Sequence, residues 1–291
     1  MTSRELQRRP LAERLLRFVP RRVATPAGEV EFRQAGPAAG VTHVLMHGIG
    51  SGSASWLMQL EAGERTENAG LLAWEAPGYG CSSPVALEKP DAGDYAERLW
   101  AWLNALGVHQ PITLVGHSLG ALMAARAATL RPAQVSRLVL LAPAQGYASA
   151  SAREQQEKLD ARLDALKSPG LQGMAQKRSV AMLSPQAEPE LVGYVQTVMS
   201  QLNEAGYTQA VHLLVGGDLL ADLAKIKCPV TVASGAADTI TPPETCQRVA
   251  DAAGVAWTDL GNAGHACALD APERVSALLG LTGHLQSEDR A

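Results

Sequence analysis

Apolar residues along this chain fall into two kinds of run. The first kind is short and continuous: residues 41–46, 71–74, 112–115, 135–141, 229–233 and 255–260. Runs this short, bounded by Gly and Pro, predict strands buried on both faces. Residues 23–36 alternate instead and turn at Pro26-Ala27-Gly28, which predicts an edge hairpin. The second kind is longer and helical in spacing. It covers residues 94–106, the Leu-, Met- and Ala-rich stretch that ends at Leu130, a segment after Pro242, and residues 272–281. Strand and helix alternate, so the pattern predicts an α/β fold with a mostly parallel, eight-stranded sheet and helices on both faces. Ligands of such sheets bind at the carboxyl ends of the strands.

The rhythm breaks after Pro143. Residues 145–220 hold no strand pattern and read as helices over 152–166, 170–182, 188–206 and 209–215, punctuated by Pro169, Pro185, Pro189, Gly206 and Gly216-Gly217. An all-helical cap inserted into one α/β domain follows. The expected organisation is a basic N-terminal helix or arm over 1–22, a core over 23–144 and 221–283, the cap over 145–220, and a polar tail over 284–291. Arg4, Arg8, Arg9, Arg14, Arg17, Arg21 and Arg22 make the first segment basic, but Glu5 and Glu13 interrupt it. That favours a surface helix over a membrane-binding one.

Bulk properties narrow the function. A length of 291 residues and 46% hydrophobic content suit one large domain with an insertion. The net charge of −4, without a basic block in the body of the chain, argues against nucleic acid as a partner. No apolar run approaches the length of a membrane span. Cys81, Cys228, Cys246 and Cys267 lack C-x-x-C spacing, so free thiols in a reducing, cytoplasmic setting are expected. The histidines show no ligand spacing, and neither a metal nor a cofactor is expected.

Chemistry concentrates at the predicted strand ends. The run at 112–115 leads into Gly116-His117-Ser118-Leu119-Gly120 and then a helix, the setting in which Gly-x-Ser-x-Gly presents a serine on a sharp turn. The run at 41–46 ends in His47-Gly48-Ile49-Gly50-Ser51-Gly52-Ser53. Its alternating glycines free backbone N–H groups for an anion or a developing oxyanion. No Gly-Lys-Ser/Thr is present, and Ser53 stands where a dinucleotide fingerprint needs its third glycine. Asp238 and Gly264-His265 follow the last two strands. A serine hydroxyl needs a base, and the base an orienting carboxylate. Ser118, His265 and Asp238 supply these roles, with the Ile49 and Leu119 N–H groups as oxyanion donors. His47 and His117 are expected to hold loops, with a role as alternative bases left open. Trp56, Met182 and Met199 are candidate substrate contacts, although each is also explained by packing.

His47-Gly48-Ile49-Gly50, Pro77-Gly78-Tyr79-Gly80-Cys81-Ser82, Gly116-His117-Ser118-Leu119-Gly120, Gly235-x-x-Asp238 before Pro242, and Gly264-His265 occur in the order of the α/β-hydrolase family. From about residue 23 to 281 the chain resembles its serine-nucleophile esterases and lactonases. The resemblance implies the triad and oxyanion roles above, a cap after the sixth strand, and hydrolysis of a small-molecule carboxylic ester or lactone by a monomer or homodimer. Ser118 separates the chain from the dehalogenases and epoxide hydrolases, which use an aspartate there. Ala266 stands where the aromatic C–C hydrolases usually carry tryptophan. C–C hydrolysis and perhydrolysis reuse the same triad and stay open, as does a receptor-like binding protein with a vestigial triad. Glu75 stands where an aspartate is common and is expected to orient the Pro77-Gly78 loop.

Overall fold

The computed structural model describes residue 5, residues 7–37 and residues 40–281. The tail expected from residue 284 lies outside them. In chain order the elements are α1 (Leu11–Leu15), β1 (Arg21–Thr25), β2 (Gly28–Ala35), β3 (Val41–Met46), α2 (Leu57–Arg65), β4 (Gly70–Trp74), α3 (Ala92–Ala105), β5 (Ile112–His117), α4 (Leu119–Leu130) and β6 (Val135–Leu141). There follow α5 (Ala152–Lys167), α6 (Gly170–Arg178), α7 (Pro189–Ser200), α8 (Glu204–Gly216), α9 (Leu219–Leu223), β7 (Val230–Ser234), α10 (Pro243–Ala252), β8 (Trp257–Asp259), α11 (Cys267–Asp270) and α12 (Pro272–Leu278).

The strands form one eight-stranded sheet in the order β1-β2-β4-β3-β5-β6-β7-β8. β1 and β2 pair antiparallel, as do β2 and β4, and every other pairing is parallel. Residue chemistry explains the division. The central strands bury both faces: β4 is buried throughout, and β5 and β6 nearly so. The outer hairpin alternates exposed and buried positions. Helices cover both faces, and the apolar clusters on the two sides of the sheet include Trp74, Trp100 and Trp102 on one and Trp56, Leu57 and Leu60 on the other. From β3 the chain passes outward to β4 and then returns to the other flank of β3 as β5. The sheet's switch point therefore lies between β3 and β5, where a crevice opens at the carboxyl ends of the strands.

Three departures from the sequence reading concern helices. α2 was not foreseen, because Gln59 and Glu61 sit inside it fully buried and blur its apolar stripe. Gln59 donates to Ala268 O at 3.0 Å, and Glu61 pairs with Arg14 at 2.6 Å. The helix expected over 188–206 is two helices. α7 stops at Ser200, and Asn203 starts α8 by accepting from Gly206 N at 2.7 Å. α6 likewise ends at Arg178, and residues 180–182 form a separate tight turn.

The helical insertion α5–α8 leaves and rejoins the core at one point. Ala148 N donates to Gly217 O at 3.0 Å and Leu219 N to Gln145 O at 2.9 Å. A side chain on Gly146 would run into Gly217 O, so the two crossing segments touch backbone to backbone. Elsewhere the insertion is tied to the core by Tyr194 Oη, which donates to Ala54 O at 2.8 Å. It is also tied to α1, where Leu11 N donates to Glu190 Oε1 at 2.7 Å.

Candidate active site

Ser118 sits between β5 and α4 with φ +52° and ψ −115°. A non-glycine residue at positive φ costs about 1–3 kcal/mol and persists only where its surroundings enforce it. Here Ser118 N donates to Leu141 O at 2.9 Å, while Ala144 N and Ala121 N donate to Ser118 O at 3.1 and 3.0 Å. The turn also needs glycine on both flanks. A Cβ on Gly116 would lie 2.5 Å from Gly120 O, and one on Gly120 would run into Met46 O.

Asp238 and His265 meet at 2.9 Å, Oδ2 to Nδ1, with both side chains buried. Asp238 is fixed from its own loop: Oδ1 accepts from Ile240 N at 2.8 Å and Thr241 N at 3.0 Å. Burial pushes its carboxyl up. The His265 hydrogen bond and charge, with the Thr241 and Ile240 N–H groups, more than reverse that, and the net displacement is downward. Thr241 was missed in the sequence. Its Oγ1 lies 2.8 Å from Asp238 Oδ2, 3.0 Å from Ala142 O and 3.1 Å from His265 Nδ1. A Thr three residues after an Asp, at the first turn of a loop before Pro242, was the available signal.

A cavity of about 280 Å³ lies over these groups, lined by Ser118, His265, Ile49, Leu119, Met182 and Met199 among others. Ser118 and His265 both line it, and neither Ser118 Oγ nor His265 Nε2 makes a hydrogen bond among the described residues. The Ile49 and Leu119 N–H groups are likewise unpartnered there. Met182 and Met199 thus stand at the cavity. Trp56 does not; it lines a small apolar pocket alongside, with its indole N–H unpaired.

The two alternative bases, His47 and His117, are engaged elsewhere. His47 Nε2 accepts from Ala76 N at 3.0 Å and its Nδ1 donates to Gly48 O at 2.8 Å, which describes a neutral ring. Burial pushes its imidazole down to about 4. His117 Nε2 donates to the His265 carbonyl at 2.8 Å. Burial, then the charge of His265, pushes it down to about 3. Both rings hold loops. Glu75 corrects the sequence reading. Its carboxylate accepts from Ser53 N at 2.9 Å and Ser53 Oγ at 2.5 Å, so it fixes the end of the glycine loop and not the Pro77-Gly78 turn. Burial pushes its carboxyl up to about 7.

The loop of His265 is clamped from two sides. Asp270 accepts from Gly264 N at 2.7 Å and from Ser184 N at 2.6 Å, and Ala266 N donates to Met182 O at 2.7 Å. Cys267, next to this loop, is fully buried, and burial pushes its thiol up. Among the described residues no group of three or more His, Cys, Asp or Glu is placed to hold a metal ion, and no helix is long and apolar enough to cross a membrane.

This architecture recurs in known proteins. The chain is 30% identical over 241 residues to (E)-2-((N-methylformamido)methylene)succinate hydrolase of Acinetobacter baylyi, a match covering 80% of this chain and 86% of that one. A thermophilic esterase from Thermogutta terrifontis superposes with a TM-score of 0.77 at 22% identity, over 90% of this chain and 97% of the other. The enol-lactonase from Burkholderia xenovorans does so with a TM-score of 0.75 at 20% identity, over 89% and 97%. Residues 44–278 match the model of the alpha/beta hydrolase family, and the chain belongs to that family.

Proposed function

We propose that this hydrolase cleaves a small carboxylic ester or lactone through an acyl-enzyme intermediate. Ser118 is the nucleophile, His265 the general base and Asp238 its orienting acid. The observation that carries this reading is the pairing of a strained Ser118, its Oγ unengaged in the cavity, with a His265 ring whose Nδ1 faces Asp238 at 2.9 Å. A neutral ring that donates through Nδ1 has its lone pair on Nε2, the nitrogen left to take the Ser118 proton.

In the first step Ser118 Oγ attacks the carbonyl carbon and its proton passes to His265 Nε2. The carbonyl oxygen gains the negative charge, which the Ile49 and Leu119 N–H groups stabilise. As the tetrahedral species collapses, the bond to the leaving oxygen breaks and His265 returns the proton to it. Water then attacks the acyl-enzyme along the same route, releasing the acid and restoring Ser118. The Ser118–His265 hydrogen bond is open in the free protein, and in this reading it closes as substrate enters. The named activities of an esterase and an enol-lactonase with this fold agree with the bond type.

Assay of p-nitrophenyl esters with Ser118→Ala as control tests the proposal. The expected loss in kcat is about 10⁴-fold or more, and a fluorophosphonate should label wild type but not the variant. Equal turnover by the variant would refute it.

A further inference from the structure

The chain as a whole is acidic, with a net charge of −4. Its cavity is not. Arg162, Arg178 and Arg248 line it, and no Asp or Glu does. None of the three forms an ion pair among the described residues. Arg178 makes no hydrogen bond there either. Arg248 reaches only Thr245 Oγ1, at 3.2 Å. The Arg162 guanidinium donates to Lys158 O at 3.3 Å and lies 5.7 Å from the centre of the Tyr147 ring, and the Lys158 ammonium lies 5.6 Å from the same ring. Lys158 and Arg162 are one helical turn apart on α5, a spacing at which like charges repel.

Elsewhere some arginines meet acids, while others, such as Arg98 and Arg137, donate to carbonyl oxygens instead. Arg14 and Arg17 meet Glu61 and Glu64, Arg126 meets Asp222, and Arg153 meets Glu157. What sets the cavity apart is that guanidinium groups from three separate helices line one space that no acid lines. Arg178 closes α6, where a cation also suits the helix dipole. That explains one of the three but not their convergence from α5, α6 and α10.

Resting on the hydrolase reading above, we infer that the substrate carries a carboxylate remote from the scissile carbonyl, and that Arg162, Arg178 and Arg248 select it. Guanidinium groups bind carboxylates through paired hydrogen bonds and keep their charge at any working pH. The unpartnered backbone N–H groups, at Ile49 and Leu119, belong to the scissile carbonyl in this reading. The remote charge then meets guanidinium groups without the backbone nest that phosphate sites commonly use. A cavity of about 280 Å³ holds a compact molecule, such as a half-ester or lactone of a short dicarboxylic acid.

The test compares mono-p-nitrophenyl glutarate with its methyl-capped diester, which keeps the shape and removes the charge. In wild type the half-ester should have the higher kcat/KM by about tenfold or more. The ratio should fall by about tenfold in Arg162→Gln/Arg178→Gln, and more modestly in Arg248→Gln. It should also shrink with added NaCl. Equal use of both esters by wild type, or a ratio unmoved in the double variant, would overturn the inference while leaving the hydrolase reading intact. Turnover of both esters by Ser118→Ala at the wild-type rate would instead remove the hydrolase reading. Calorimetry on the full-chain Ser118→Ala protein reads recognition without turnover. Glutarate should bind, glutaramide should not, and the double arginine substitution should abolish glutarate binding. Equal binding of acid and diamide would overturn the inference.

Discussion

Thr241 and Asp238 act as one unit. The threonine hydroxyl and its N–H both address the carboxylate that faces His265. Thr241→Val keeps the shape and deletes the hydroxyl, so in the proposed mechanism kcat should fall by about tenfold with little change in KM, as steady-state kinetics would show. A rise in KM alone would place Thr241 in substrate binding instead. The buried histidines and Glu75 give stability opposite pH dependences. Unfolded imidazoles take protons near 6.5, whereas in the fold His47 waits until about 4 and His117 until about 3. Their contribution is full above pH 6.5 and is lost as pH falls through the folded values. Glu75 binds its proton up to about pH 7 in the fold but only to 4.5 when unfolded. Its contribution is full below 4.5 and is lost as pH rises to 7. Thermal melts of Glu75→Gln should therefore compare more favourably with wild type at pH 8 than at pH 5. An unchanged difference would remove Glu75 from the account. The sequence exposed Ser118, Asp238 and His265 because each follows a strand and is marked by nearby glycine. It hid Thr241 and the target of Glu75, whose partners are settled only by how the loops fold over one another.

At the scale of elements, the strand-turn-helix from β5 to α4 depends on close backbone approach. Gly120→Ala should destabilise the protein by roughly 2–3 kcal/mol, read as a lower urea midpoint, because its methyl group has no space against Met46 O. The His265 loop depends on α11 and on the turn at 182–184, which Asp270 joins. Asp270→Asn replaces an acceptor pair by a group that must present one N–H to a donor. A fall in kcat of about tenfold is expected, and an unaltered kcat would show that the loop holds without this clamp. Most strands were legible because two-sided burial writes itself as a continuous apolar run. α2 was not, because its inward polar groups are satisfied by distant partners, Ala268 O and Arg14. The join between α7 and α8 was also hidden, since only the Asn203 cap separates two apolar segments.

At the scale of the molecule, an acidic protein encloses a cationic cavity, and the helical insertion supplies two of its three arginines. Charge patterning along the chain could not reveal this, because Arg162, Arg178 and Arg248 lie on separate helices and converge only after folding. The basic N-terminal segment also reads differently in three dimensions. Arg14 and Arg17 face Glu61 and Glu64 on α2, and the backbone of Leu11 reaches Glu190 of the insertion. Finally, the crossing of Gly146 and Gly217 brings the two ends of the insertion within touching distance. A segment whose ends nearly coincide imposes on its host little more than a short connection would, whatever its length. Recombination at that crossing could therefore exchange one lid for another, giving a lineage new substrates while the inherited serine turn and its partners stay untouched.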